Sequence, residues 1–228
     1  MTDKMYNIAS VERTLQGEGR WSGRSAVLVR FCSCNMWSGK DEDRKRDAER
    51  TDSLCPLTCD TDFIKLDFDK SGGVYTACEL LGVISKLAAI GSGPFSIGPM
   101  LILTGGEPLL QLDLSLLAAL ESLGMFLALE TNGTIGPSYK LWEHFNWVCI
   151  SPKTPWTALV ECDELRILFP TYNPLDYASI RARERYISVV DRGTGEALKE
   201  DLATAVSFIH ENPSWMLSTQ SHKVWGIP

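Results

Sequence analysis

Three cysteines, Cys34, Cys55 and Cys59, stand with twenty and then three residues between them. Thiolates are the ligands that hold iron–sulfur clusters and structural zinc. Three of them on loops can bind three irons of a [4Fe–4S] cluster and leave the fourth iron open to a small ligand. A structural zinc site takes four ligands, usually as two close pairs, and would have to recruit Cys32 or a distant histidine. Ordinary reduced thiols are a third reading that the spacing leaves open. Further along, Leu101-Ile102-Leu103-Thr104-Gly105-Gly106-Glu107-Pro108 ends an apolar run with two glycines and a carboxylate. Missing Cβ atoms let a ligand approach the backbone closely, and Glu107 offers an anion to a ligand ammonium group. Taken alone, this segment reads equally well as a tight strand-to-helix turn with a solvated acid.

Such groups need a scaffold that carries them to one place. Residues 25–31, 100–104, 125–130, 147–150, 164–169, 185–190 and 215–218 read as strands. Residues 76–90, 114–123, 138–144 and 196–210 read as helices, and Thr76 with Glu79 forms a T-x-x-E capping box at the first of them. Short apolar strands alternating with helices indicate βα units and a parallel sheet. In such sheets functional groups gather beyond the C-terminal ends of the strands, where both candidate segments fall. Residues 38–53 have no aliphatic side chain except Ala48. A run this polar is expected to be a solvated excursion or a short surface helix, pinned at its ends and free in its middle.

Composition bounds the rest. A chain of 228 residues with 44% hydrophobic content suits one α/β domain and argues against disorder. The net charge of −7 gives no general reason to expect a nucleic acid or a membrane surface as partner. No apolar run approaches 18 residues, and the start lacks the pattern of a secretory signal, so the cytoplasm is the expected compartment. The seven cysteines are an odd number, which favours metal binding, chemistry or burial over a disulfide framework.

The cysteine triplet paired with GGEP resembles the radical S-adenosylmethionine (SAM) superfamily. Further segments narrow the likeness: Leu15-Gln16-Gly17-Glu18-Gly19, Arg30, Cys34-Asn35-Met36-Trp37-Ser38-Gly39, Cys59-Asp60-Thr61-Asp62-Phe63, Glu130-Thr131-Asn132-Gly133, Ser151-Pro152-Lys153 and Gln220-Ser221-His222-Lys223 with the final Ile227-Pro228. In this order they are similar to the 7-carboxy-7-deazaguanine synthase family, over nearly the whole chain from about Glu12. The resemblance implies an α/β fold of the abbreviated, partly open (β/α) barrel type. It implies one domain over residues 1–228, with the polar insertion at about 38–54 in the cluster-binding loop. The implied activity is that of a radical SAM lyase, contracting 6-carboxy-5,6,7,8-tetrahydropterin to 7-carboxy-7-deazaguanine with loss of ammonia in queuosine-type biosynthesis. The implied cofactors are a [4Fe–4S] cluster, SAM and Mg²⁺. The implied partners are a second copy in a homodimer and an electron donor such as flavodoxin or ferredoxin.

Carried over by motif, Cys34, Cys55 and Cys59 would bind the cluster and Thr61 the Mg²⁺. Gly106, Glu107, Ser151, Pro152 and Lys153 would hold SAM. Leu15, Gln16, Gly17, Glu18, Arg30, Thr104, His222 and the terminal carboxylate of Pro228 would meet the substrate. Two other readings remain open: another radical SAM enzyme, such as a glycyl-radical activase acting on a large protein, and a zinc-stabilised binding protein. The chain also departs from the family pattern. Its second cysteine gap is three residues instead of two, Thr58 stands where an aromatic residue is usual, and Cys32 is a spare thiol. Cys78, Cys149 and Cys162 read as buried hydrophobes, and Trp225 and Ile227 lead us to expect a C-terminus packed inside.

Overall fold

The computed structural model describes residues 4–59, 61–89, 98–136, 139–189 and 195–227. Its frame is one sheet of nine strands: β1 (Tyr6–Leu15), β2 (Ser25–Phe31), β3 (Gly73–Tyr75), β4 (Met100–Gly105), β5 (Leu127–Thr131), β6 (Trp147–Ile150), β7 (Glu161–Phe169), β8 (Arg181–Val189) and β9 (Trp215–Thr219). Their spatial order is β3-β1-β2-β4-β5-β6-β7-β8-β9, and β3 and β9 do not pair, so the sheet stays open. From β2 to β9 every pairing is parallel, while β1 runs antiparallel to both β2 and β3. This is the partly open α/β barrel that the resemblance implied.

The helices are α1 (Arg44–Thr51), α2 (Cys55–Thr58), α3 (Ala77–Ala88), α4 (Leu114–Glu121), α5 (Tyr139–Trp142), α6 (Gly195–Glu211) and α7 (Ser221–Trp225). The capping box starts α3 as expected: Thr76 Oγ1 accepts from the Glu79 N–H, and the Glu79 carboxylate accepts from the Thr76 N–H at 2.8 Å. Val27, Val29, Leu101, Leu103, Leu129 and Val148 pack with the apolar sides of α3 and α4 in the main core. Residues of the other parity, Ala26, Met100, Ile102, Ala128 and Trp147, face inward with Trp21 and close the barrel floor. Strand side chains alternate between faces. Continuing the inner parity toward the C-terminal ends therefore brings Arg30, Thr104, Glu130, Cys149 and Arg166 to the interior above that floor. Among the described residues no helix is long and apolar enough to cross a membrane.

Several expectations change. Strands β1 and β3 are absent from the sequence reading. A register shift between Ile8 and Ser10 buries Ala9, Ser10 and Val11 in succession, which erases the alternation that would reveal β1. Strands β7 and β8 begin earlier than read, at Glu161 and Arg181, because their first turns are charged and exposed at the barrel's lower rim. The polar run is not free in its middle. It contains α1, whose Asp47 is buried. Of the apolar residues near the C-terminal end, Val224 is 83% and Trp225 44% exposed, Ile227 is half-buried, and Pro228 lies outside the described residues. Helix α7 has only one turn beyond the edge strand β9, and it presents His222 and Lys223 to the cavity.

Candidate active site

The cysteine segments meet above the β2 and β4 ends. Ser33 adopts a left-handed φ of 73°, which ends the strand and separates the directions of its two neighbours. In an uninterrupted strand Cys32 and Cys34 would share a face. Here Cys32 is buried, whereas Cys34 lines the cavity. The three-residue gap of the second pair is absorbed as one helical turn: the Cys59 N–H donates to the Cys55 carbonyl at 2.9 Å. Pro56 sits in the first turn of α2, where its missing N–H costs nothing. Cys55 and Cys59 thus fall on one side of that turn, close enough to hydrogen-bond one another. That bond, burial and the nearby Cys34 push the Cys55 thiol well up. Burial likewise raises the Cys34 thiol. Three crowded thiols resist ionising together, and a bound cation reverses the balance because metal-bound thiols are deprotonated. Among the described residues no three His, Cys, Asp or Glu side chains converge as a single-ion site would require. Three thiols around one cavity suit a cluster, in which each thiolate binds a different iron, better than a tetrahedral zinc.

The GGEP turn is built against this loop. A Cβ on Gly106 would fall 2.0 Å from the Ser33 carbonyl oxygen and 3.1 Å from Cys34 Cβ. Gly105 holds φ 141°, and a Cβ there would strike the Phe31 backbone. The two glycines therefore serve first to let the β4 end close on the cysteine loop. Glu107 is fully buried and turned away from the cavity. Its carboxylate accepts from the Leu109 N–H at 3.0 Å, Thr131 Oγ1 at 2.9 Å and the Asn132 N–H at 2.8 Å. Burial raises its carboxyl even so. Those three internal donors engage the side chain that the sequence offered to a ligand ammonium group. Asn132 Nδ2 donates to Asn35 Oδ1 at 2.9 Å, which joins the β5 end to the same loop. Ser151 and Lys153 line the cavity, with Lys153 Nζ donating to Ser151 Oγ at 2.7 Å. Pro152 between them is buried and does not line the cavity.

Deeper in, four strands contribute a charge network. Arg166 is 5% exposed and donates to Glu164 from Nε at 2.8 Å and Nη2 at 2.6 Å, and from Nη1 to Glu130 at 3.2 Å and Glu18 at 3.3 Å. Burial would raise the Glu130 carboxyl, but Arg166 with donors from Gln16 and Thr104 holds it below its ordinary value. Gln16 Nε2 reaches Glu130 at 3.1 Å, and Ser188 donates to Glu18. Gly17 is pressed under His222, where a Cβ would fall 2.0 Å from the ring nitrogen Nδ1. Its carbonyl accepts from the Ser221 N–H at 3.0 Å, tying the first loop to the last helix. Arg30 and Thr104 are register neighbours on β2 and β4. Cys34, Cys55, Cys59, Thr61, Ser151 and Lys153 share one open cavity of about 1140 Å³ with Leu15, Gln16, Gly17, Glu18, Arg30, Thr104 and His222. Pockets for one small molecule run to about 1,000 Å³, so this space suits several bound groups.

No family model matches the chain. It is 36% identical over 226 residues to 7-carboxy-7-deazaguanine synthase of Bordetella pertussis, covering 98% of this chain and 99% of the relative. It is 34% identical over 229 residues to the enzyme of that name from Caulobacter vibrioides, covering 98% and 99%. The chain belongs to the 7-carboxy-7-deazaguanine synthase family. The fold agrees: the crystal structure of QueE from Escherichia coli superposes with a TM-score of 0.63 at 21% identity, covering 96% of this chain and 95% of that one.

Read as a member of the synthase family, the chain brings to one cavity the residues given a site role from its sequence except Glu107 and Pro152, which do not line it, and Pro228, which is outside the described residues. Sequence reasoning missed Arg166 and Glu164, and left Glu130 without a role. A signal existed: Glu164 and Arg166 are charged at alternate positions of the otherwise apolar run 164–169, which puts both on one face. Cys149 and Cys162 are buried as expected, whereas Cys78 is exposed on α3.

Proposed function

We propose that this chain contracts 6-carboxy-5,6,7,8-tetrahydropterin to 7-carboxy-7-deazaguanine in the cavity described, as a radical SAM lyase of its family. The observation that carries the reading is that Cys34, Cys55 and Cys59 open into the same cavity as Gln16, Glu18, Arg30 and Thr104. The three thiols fit a [4Fe–4S] cluster with one iron facing the cavity, and Gly106, Ser151 and Lys153 stand where SAM would lie. When bound, the reduced cluster and SAM together supply the 5′-deoxyadenosyl radical that removes a hydrogen atom from C6 of the pterin and later returns one.

The residues do the rest. The Arg30 guanidinium suits the substrate carboxylate as a planar fork. Glu18 and Glu130 present acceptors to the N–H edge of a pterin ring, and Arg166 helps hold the Glu130 carboxyl below its ordinary value. His222 and Gly17 close one side of the ring slot, and the Pro228 carboxylate would add an acceptor there. The Thr61 hydroxyl supplies an oxygen ligand of the kind Mg²⁺ prefers beside the substrate carboxylate. The buried floor below Arg166 keeps bulk water from the reacting face.

The test is anaerobic turnover of the tetrahydropterin by iron- and sulfide-reconstituted protein with SAM, Mg²⁺ and a low-potential reductant. The expected product is 7-carboxy-7-deazaguanine, identified by mass, with SAM unconsumed. SAM cleavage without that product would remove the substrate assignment. In the same assay Thr61→Ala should keep the cluster but lose most of the response to added Mg²⁺. Wild-type turnover indifferent to stripping divalent ions would reject the Thr61 role. Residues appended after Pro228 should raise KM with the cluster intact, and an unchanged KM would reject the carboxylate role.

A further inference from the structure

We propose that α1, the polar insertion between the first two cysteines, is a clamp that sets the geometry of the iron–sulfur site, with Arg44 and Arg50 as its positioning residues. The inference rests on the reading of Cys34, Cys55 and Cys59 as cluster ligands. Arg44 reaches the second half of the site. Its Nη1 donates to the Pro56 carbonyl at 2.6 Å, and Nη1 and Nη2 both approach the Cys59 carbonyl, at 3.5 and 3.4 Å. Its guanidinium carbon lies 3.9 Å from the Trp37 ring centroid, and Trp37 is buried edge-on against Phe63. Arg50, at the other end of the helix, reaches the first half: its Nη2 donates to the Asn35 and Met36 carbonyls, each at 3.2 Å. Between them the buried Asp47 accepts the Ser38 N–H at 2.7 Å. The Met36 N–H in turn points at the Cys34 sulfur at 3.4 Å.

The backbone that aims Cys34 and the backbone that aims Cys55 and Cys59 are therefore both held by side chains of one eight-residue helix. Isolated helices of that length are marginal in water, so α1 owes its form to these contacts and the cysteine loops owe theirs to α1. A guanidinium suits the task because one planar group can serve two carbonyls and stack on an indole. Arg46 supplies the internal comparison. It is on the same helix but, among the described residues, pairs with Asp43, at 2.7 Å, and Asp47, at 3.1 Å, and with neither cysteine segment.

The experiment uses anaerobically reconstituted holoprotein and reads iron release to a ferrous chelator and the electron paramagnetic resonance spectrum of the reduced cluster. Residues that orient metal ligands from behind change metal retention by about ten-fold or more. R44Q and R50Q should each lose iron at least about ten-fold faster than wild type and shift the cluster's spectrum, with R46Q within about two-fold of wild type and unshifted. Wild-type release rates and spectrum in R44Q and R50Q would overturn the proposal. So would R46Q losing iron as fast as they do, since that is what general weakening of the helix predicts. Circular dichroism of the cluster-free proteins checks folding first. Should R44Q not fold, R44K, which keeps charge and stem but not the fork, is judged by the same rates. A wild-type protein that assembles no cluster would instead refute the ligand assignment, a failure distinct from that of the clamp.

Discussion

Cys34→Ala, Cys55→Ala and Cys59→Ala should each reduce iron–sulfide loading and turnover to background, while Cys32→Ala keeps both. Three thiolates are the least that can hold three irons and leave the fourth for SAM. Cys32 is next but one to Cys34 in sequence, yet the left-handed Ser33 turns it into the core, and its thiol is raised by burial and by Asp62, not by the other cysteines. The C-x3-C pair sharpens the expectation. Cys55 and Cys59 are one helical turn apart and share one side of α2, so neither thiol can stand in for the other. Iron and sulfide content after reconstitution decides both points. A loaded Cys34→Ala protein, or an empty Cys32→Ala protein, would overturn the assignment of the first ligand.

Arg166→Met should be the most damaging single change outside the cysteines. The arginine touches three carboxylates, Glu18, Glu130 and Glu164, and is itself almost wholly buried. Removing one partner of a buried ion pair leaves uncompensated charge and costs about 3–5 kcal/mol. For a chain of this length that corresponds to a fall in Tm of roughly 10 °C. The pH dependence carries the sign. Glu130 is held below its ordinary value in the native state, so its ionisation adds stability that is present at neutral pH and lost as pH falls through the depressed value. Without Arg166 the burial that opposes ionisation is unopposed by a cation, the native value moves above the unfolded one, and the ionised group destabilises the fold at neutral pH. The gap in Tm between variant and wild type should therefore narrow as the solution is acidified. The acid limb of the variant's pH–rate profile should move to higher pH. Arg166→Lys keeps the charge without the fork and should fall between the two. A Tm for Arg166→Met near that of wild type, or a gap that ignores pH, would show that the carboxylates are not held by this residue.

Much of the site was legible because its chemistry is local in sequence. The cysteine triplet, GGEP and the His222-Lys223 pair each follow the C-terminal end of a parallel strand, and parallel α/β sheets send such ends to one side, whereas LQGEG follows the antiparallel β1 and joins them through tertiary contacts. The parity of β2, β4 and β5 follows from alternation alone, so Arg30 and Thr104 could be expected to point the same way. The errors have physical causes as well. Glu107 was read as an anion facing a ligand or solvent because nothing adjacent reveals that the Thr131 and Asn132 donors, more than twenty residues on, converge on it. Trp225 was read as buried because apolar composition at a chain end suggests packing, but a one-turn helix beyond an edge strand has little to pack against.

The sequence by itself determined which atoms are available: three thiols, a glycine turn, the acids and the arginines, and a strand–helix rhythm that forces a parallel sheet with these groups at its upper rim. Only the tertiary structure decided which groups face the cavity and which support it from behind. It made the extra residue of C-x3-C a helical turn, engaged Glu107 as an internal strut, assembled three acids from three segments around Arg166, and turned a run of solvated charges into the helix that grips both cysteine loops. Those outcomes depend on contacts between residues far apart in the chain, and their strength comes from burial, a quantity that no local pattern of residue types contains.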